Sequence, residues 1–73
     1  MTTVYTLPAC VQCDMTKRYL DKAGVDYDTV DISQNPEAYD KIVQLGFSAA
    51  PVVISGENSW SGFQPERLDS LVA

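Results

Sequence analysis

The stretch Thr6-Leu7-Pro8-Ala9-Cys10-Val11-Gln12-Cys13 decides how the chain is read. It carries the only two cysteines of the 73-residue sequence, spaced C-x-x-C. The segment before it, Thr2 to Leu7, is rich in β-branched and aromatic residues and favours a strand. The segment after it, Val11 to Ala23, favours a helix. Paired thiols at such a junction point to redox chemistry. A thiol at a helix N-terminus meets unpaired backbone N–H groups and the positive end of the helix dipole, and both favour the thiolate. Cys10 is therefore placed to attack a disulfide. Cys13, three residues on and one turn deeper, is placed to resolve the mixed disulfide. Asp14 disfavours a second thiolate at Cys13, and Lys17 and Arg18 add weak support for negative charge near the site.

Three plainer readings of the pair stand beside this one. A structural disulfide closing a four-residue loop contributes only about 1.9 kcal/mol by loop entropy. Half of a zinc or iron–sulfur site needs further ligands, and the chain has no histidine and no third cysteine, so such a site would have to bridge two subunits. A pair of inert, buried cysteines is at odds with the exposed Pro-Ala-Cys loop expected here.

Working outward, Pro8 ends the first strand, because it lacks a backbone donor. Along the first helix Val11, Met15, Tyr19 and Ala23 recur at helical spacing with Leu20 beside them, and they are expected to form its inner face. Gly24 is a natural C-terminal stop. Asp26 to Ile32 alternates acidic with apolar or β-branched residues, as a half-exposed edge strand does. Asn35-Pro36-Glu37 opens a second helix with Ala38, Tyr39, Ile42, Val43 and Leu45 on its apolar side, and Gly46 stops it. Pro51 to Ser55 reads as a short buried strand, Gly56-Glu57-Asn58 as a hairpin turn and Ser59 to Ser61 as the return strand. Pro65 opens a third helix with Leu68, Leu71 and Val72 on one side, although Gln64 is a poor N-cap. The order β-α-β-α-β-β-α, starting with a parallel pair and ending in a hairpin, predicts a four-stranded mixed sheet flanked by three helices. That is an α/β, thioredoxin-like layout, expected to occupy residues 1–73 as one domain.

Composition limits the function. A chain of this length has no room for a dinucleotide-binding unit beside its own core, so electrons must come from a partner. The net charge of −5 argues against nucleic acid or an anionic membrane as partner. No apolar run is long enough to span a membrane, and Met1-Thr2-Thr3-Val4 runs into the first strand without a signal-peptide pattern, so a cytoplasmic protein is expected, and nothing in the sequence demands more than a monomer. In that compartment a structural disulfide is unusual.

Pro51 stands where the thioredoxin layout faces the C-x-x-C across the sheet end. A cis Ala50-Pro51 peptide is expected beside Cys10, with the Ala50 backbone free to pair with an extended substrate segment. Trp60 and Phe63 read first as packing residues. Their functional reading is a partner surface with Leu7, Pro8, Val11 and Ala50 around Cys10. Ser61-Gly62 either fixes the turn or bonds to a neighbouring loop, and Gln12 is expected to point towards partners.

Together Y-T-L-P-A-C-V-Q-C, A-A-P-V-V and W-S-G-F-Q-P-E resemble the NrdH-redoxins, glutaredoxin-like electron donors to ribonucleotide reductase, over the whole chain. The resemblance implies reduction by thioredoxin reductase with NADPH, and delivery of electrons to the disulfide of a class Ib ribonucleotide reductase. It implies Cys10 as nucleophile, Cys13 as resolving thiol and Pro51 as the cis-proline, with a redox-active disulfide and no bound cofactor. Glutathione-using glutaredoxins differ. They typically carry a basic residue before the first cysteine, C-P-Y-C, and a Gly-Gly-x-Asp-like segment that holds one end of glutathione. Here Leu7-Pro8-Ala9, Val11-Gln12 and Ser61-Gly62-Phe63-Gln64 stand in those places, so weak glutathione binding is expected. A glutathione-dependent glutaredoxin and a metal-bridged binding module remain the alternatives.

Overall fold

The computed structural model describes residues 2–71. Its elements are β1 (Thr2–Thr6), α1 (Val11–Ala23), β2 (Asp28–Asp31), α2 (Pro36–Gln44), β3 (Val52–Ser55), β4 (Asn58–Ser61) and α3 (Pro65–Asp69). The strands lie in the order β2-β1-β3-β4. β1 pairs parallel with β2 and antiparallel with β3, and β3 pairs antiparallel with β4. The sheet is mixed and the fold is thioredoxin-like, as the sequence predicts. Ser55 faces Asn58, so the hairpin loop is Gly56-Glu57 and Asn58 already belongs to β4.

Alternation along the two central strands sends side chains to opposite faces of the sheet. Val4 and Val53 go to one side, where they pack with Trp60, Leu20 of α1 and Leu68 of α3. Tyr5 and Val52 go to the other, where they meet Ile32 and Ile42 of α2. α1 and α3 therefore share one face and α2 covers the other, which explains why β1 is apolar on both sides. Each fully buried Leu or Ile contributes about 1.5–3 kcal/mol relative to exposure.

The helix ends follow their local chemistry. Asn35 caps α2 by accepting the Ala38 N–H at 3.1 Å, and Pro36 follows at the first helical position. Gly24 closes α1 in the left-handed conformation, at φ 73°. Gln64 makes no side-chain cap to α3. Its amide instead donates to the Ser61 carbonyl at 2.7 Å and accepts from Arg67 Nε at 3.0 Å. Val72, expected beside Leu68 and Leu71, lies outside the described residues, as does Met1.

Two expected faces are corrected. The buried residues of α1 are Cys13, Thr16 and Leu20, whereas Val11 is 73% exposed and Met15 41%. Thr16 tolerates burial because its hydroxyl donates to the Gln12 carbonyl at 2.9 Å. The helix is thus rotated so that its Cys13 edge, not its most apolar edge, meets the sheet. On α2 only Ile42 is fully buried; Tyr39, Val43 and Leu45 are about half exposed. A four-stranded sheet of short strands covers only a narrow stripe of each helix.

Candidate functional site

The strand registers bring three distant segments to one end of the sheet. Thr6 faces Asp31, Tyr5 faces Val52, and Val52 faces Ser61. The chain leaves β1 at that end, turns through Leu7, Pro8 and Ala9, and enters α1 at Cys10. Pro51 precedes β3 and Gly62 follows β4 at the same end. Ala9 takes a left-handed φ of 55°, which costs an L-residue energy and bends the chain sharply into the helix.

Cys10 is the N-cap of α1. It is joined to Cys13 as a disulfide, with Cα atoms 5.2 Å apart. The Cys13 backbone N–H donates to the Cys10 sulfur at 3.2 Å. Cys10 is half-buried and Cys13 is only 1% exposed. Cys10 is thus the more accessible cysteine of the pair. Lys17 Nζ is 3.6 Å from Asp14 Oδ1, so its charge is shared with that carboxylate.

The Ala50–Pro51 peptide bond is cis. The Pro51 side chain is fully buried, while Ala50 is half-buried and touches Tyr5, Ile32, Ile42 and Val52 as a group. Any contact made at this position by another molecule therefore falls to Ala50 and not to the proline ring. The Pro51 carbonyl accepts the Gly62 N–H at 2.8 Å. Gly62 has φ 82°, and a Cβ there would stand 3.4 Å from the Gln12 side-chain oxygen. Both the backbone angle and the close approach call for glycine.

Gln12 is exposed, but its side chain is engaged within the protein. Its side-chain oxygen accepts the Phe63 N–H at 3.1 Å. This ties the first turn of α1 to the loop after β4, 51 residues away in sequence. Ser61 and Gly62 hold that loop, through the Gln64 amide and the Pro51 carbonyl respectively. Trp60 takes its packing reading and not the partner-surface one. It is 4% exposed and belongs to the core under α1 and α3, with Arg67 stacked 6.0 Å over its ring. Phe63 is half-buried and meets the Tyr19 ring edge-on at 6.1 Å.

The surface next to Cys10 is apolar. Leu7 is 39% exposed, and Pro8 and Val11 are exposed as well. Further along α1 an open groove of about 600 Å³ is lined by Met15, Arg18, Tyr19, Asp21, Lys22 and Phe63. Tyr19 donates a hydrogen bond to Asp69 of α3 beside it. That bond, a small burial effect and the carboxylate charge raise the Tyr19 pKa above its ordinary value of 10.0. Among the described residues no group of three or more His, Cys, Asp or Glu is placed to hold a metal, and no helix is long and apolar enough to cross a membrane.

This arrangement suits thiol–disulfide exchange, and comparison with known proteins points the same way. Residues 2–60 match the glutaredoxin family. The chain is 42% identical over 69 residues to the glutaredoxin-like protein NrdH of Escherichia coli K12, covering 94% of this chain and 85% of that one. The chain belongs to the NrdH group of glutaredoxin-like proteins. The Lactococcus lactis IL1403 NrdH is 38% identical over 71 residues, covering 97% of this chain and 99% of that one. The solved structure of NrdH-redoxin from E. coli superposes with a TM-score of 0.94 at 41% identity, covering 96% and 92% of the two chains. As an NrdH-type protein the chain is a thioredoxin-fold oxidoreductase with a redox cysteine pair. Two features of this NrdH-type site escape sequence reasoning. The Gln12–Phe63 bond needs a contact across 51 residues, and only a glycine after β4 together with a polar residue inside C-x-x-C hints at it. The left-handed Ala9 carries no residue-type signal at all.

Proposed function

We propose that the protein carries two electrons from NADPH, by way of thioredoxin reductase, to the disulfide of a class Ib ribonucleotide reductase. The observation that carries this reading is the unequal exposure of the two linked cysteines, Cys10 half-buried and Cys13 at 1%. In the reduced protein the Cys10 thiolate attacks a partner disulfide. A Cys10–partner disulfide forms, and one partner thiolate leaves and takes up a proton. Cys13, having lost its proton, attacks the Cys10 sulfur. The Cys10–Cys13 disulfide forms and the second partner thiolate is released. Thioredoxin reductase then returns two electrons to the pair, so no resident cofactor is needed. Ala50, held by Pro51, offers backbone for an extended partner segment, and Leu7, Pro8 and Val11 offer apolar contact beside Cys10. The E. coli relative, described as having a thioredoxin-like activity profile, supports a thioredoxin-like choice of reductant. The reading places the protein in the cytoplasm as a monomer serving deoxyribonucleotide synthesis.

The glutaredoxin family match favours glutathione as the rival reductant. NADPH consumption decides between them, measured with a protein disulfide as acceptor. One arm contains thioredoxin reductase, and the other contains glutathione with glutathione reductase. Turnover is expected in the first arm. Turnover confined to the second overturns the proposal.

A further inference from the structure

Two backbone donors of the loop after β4, which borders the dithiol, are consumed within the protein. Gly62 N–H goes to the Pro51 carbonyl at 2.8 Å, and Phe63 N–H goes to the Gln12 side chain at 3.1 Å. The first of these is a main-chain contact that side-chain replacement leaves in place. The second depends wholly on one side chain, and that side chain sits between the two cysteines. Around the site Lys17 is engaged by Asp14 at 3.6 Å, and the chain as a whole carries a charge of −5. A small thiol bearing carboxylates needs cationic groups or free N–H donors near the sulfur it attacks. Beside Cys10 it finds an apolar rim of Leu7, Pro8 and Val11 and a loop whose Gly62 and Phe63 N–H groups are already satisfied, while Arg18 lies further along α1 in the groove with Met15 and Phe63.

We propose that Gln12 is a specificity-determining residue: by occupying the Phe63 N–H it denies small carboxylate-bearing thiols such as glutathione a foothold beside Cys10. The assignment rests on the reading above that Cys10 is the attacked and attacking sulfur. Gln12 acts by holding a donor out of use, not by touching the reacting atoms.

The reaction to follow is reduction of the Cys10–Cys13 disulfide by a low-mass thiol. The thiolate attacks Cys10 and forms a mixed disulfide, and Cys13 leaves as a thiolate that takes up a proton. A second thiol then attacks the sulfur of the first, releasing Cys10 as a thiolate and a low-mass disulfide. Rates are measured by acid quench and mass spectrometry on the isolated oxidised protein, with glutathione and with glutathione diethyl ester. The ester has the same thiol and peptide but no carboxylate. Comparing variant with wild type for each thiol separately cancels the effect of the protein's net charge.

Gln12→Ala frees the Phe63 N–H. It is expected to speed reduction by glutathione roughly fivefold to tenfold, the size of one typical net hydrogen bond, and to change the ester rate less than twofold. Gln12→Glu keeps an acceptor on Phe63 N–H and adds a like charge. It is expected to slow glutathione below wild type, and to slow it more than the ester, whose attacking thiolate carries no carboxylate. Equal acceleration of both thiols by Gln12→Ala means a loosened loop and overturns the proposal, and so does no acceleration of glutathione. Attack of wild-type protein by glutathione at Cys13 instead of Cys10 overturns the underlying reading of the site. The Gln12 ratio involves no reductase, so it stands apart from the coupled NADPH assay.

Discussion

The backbone N–H of buried Cys13 points at the sulfur of half-exposed Cys10 from 3.2 Å. After reduction the same donor serves a thiolate on Cys10, and the N-cap position adds the helix dipole. The two thiols are therefore unequal. At neutral pH iodoacetamide is expected to label Cys10 at least about tenfold faster than Cys13, as peptide mapping would measure. Cys13→Ser should accumulate a mixed disulfide at Cys10 with a disulfide substrate, and Cys10→Ser should form none. Equal labelling, or trapping at Cys13, would reverse the roles.

The rotation of α1 makes a prediction about stability. Leu20 is fully buried between Val4 and Trp60, whereas Val11 is 73% exposed. Leu20→Ala should cost about 2–5 kcal/mol through lost burial and a cavity, and Val11→Ala no more than about 0.5 kcal/mol. Urea unfolding midpoints would show the contrast. A costly Val11→Ala would mean that the expected apolar stripe is the true inner face.

Ala9 sits at φ 55° with its side chain exposed. The left-handed region costs an L-residue about 1–2 kcal/mol, while glycine loses up to about 1 kcal/mol of extra chain entropy on folding. Ala9→Gly should therefore gain about 0.5 kcal/mol, a rise of about 2–4 °C in the melting temperature of a chain this size. Calorimetry checks the sign.

The Tyr19–Asp69 contact ties α1 to α3 and sets a pH window. The folded-state pKa of Tyr19 is raised above 10.0, first by its hydrogen bond to Asp69. Tyr27 is raised as well, first by burial and then by Asp21. A raised pKa means that the folded state holds the proton more tightly. The resulting stability is fully present below pH about 10 and is lost as pH rises through the folded-state values. Absorbance titration at 295 nm should show Asp69→Ala moving the Tyr19 ionisation back towards its ordinary value. Stability of Tyr19→Phe should fall less steeply above that pH. An unmoved Tyr19 titration in Asp69→Ala would contradict the assigned cause.

Much of this fold is written locally. Gly24 ends α1, and Asn35-Pro36 starts α2 where the capping chemistry places it. The acidic segment around Asp28 and Asp31 does lie at a sheet edge, next to β1. What escapes is decided by distant contacts. Periodicity says that Val11, Met15 and Tyr19 share a face, but not which face the sheet covers. Thr16 faces inward because a hydroxyl can return its bond to the preceding turn. The dithiol itself was legible, since residue type and spacing alone define it. The partner of the Gln12 amide was not, because an amide bonds equally well to solvent or to Phe63, and only the closure of the β4 loop chooses. Trp60 carried two readings, and its place opposite Val53, on the face under α1 and α3, settled it as core.

The central claim is electron delivery through Cys10 and Cys13 from thioredoxin reductase to a class Ib ribonucleotide reductase. The most direct measurement is deoxyribonucleotide formation in a mixture of NADPH, thioredoxin reductase, this protein and that reductase. Product should form in proportion to the added protein and vanish with either Cys10→Ser or Cys13→Ser. No product above the level without the protein, or product only when glutathione and glutathione reductase replace thioredoxin reductase, would contradict the account.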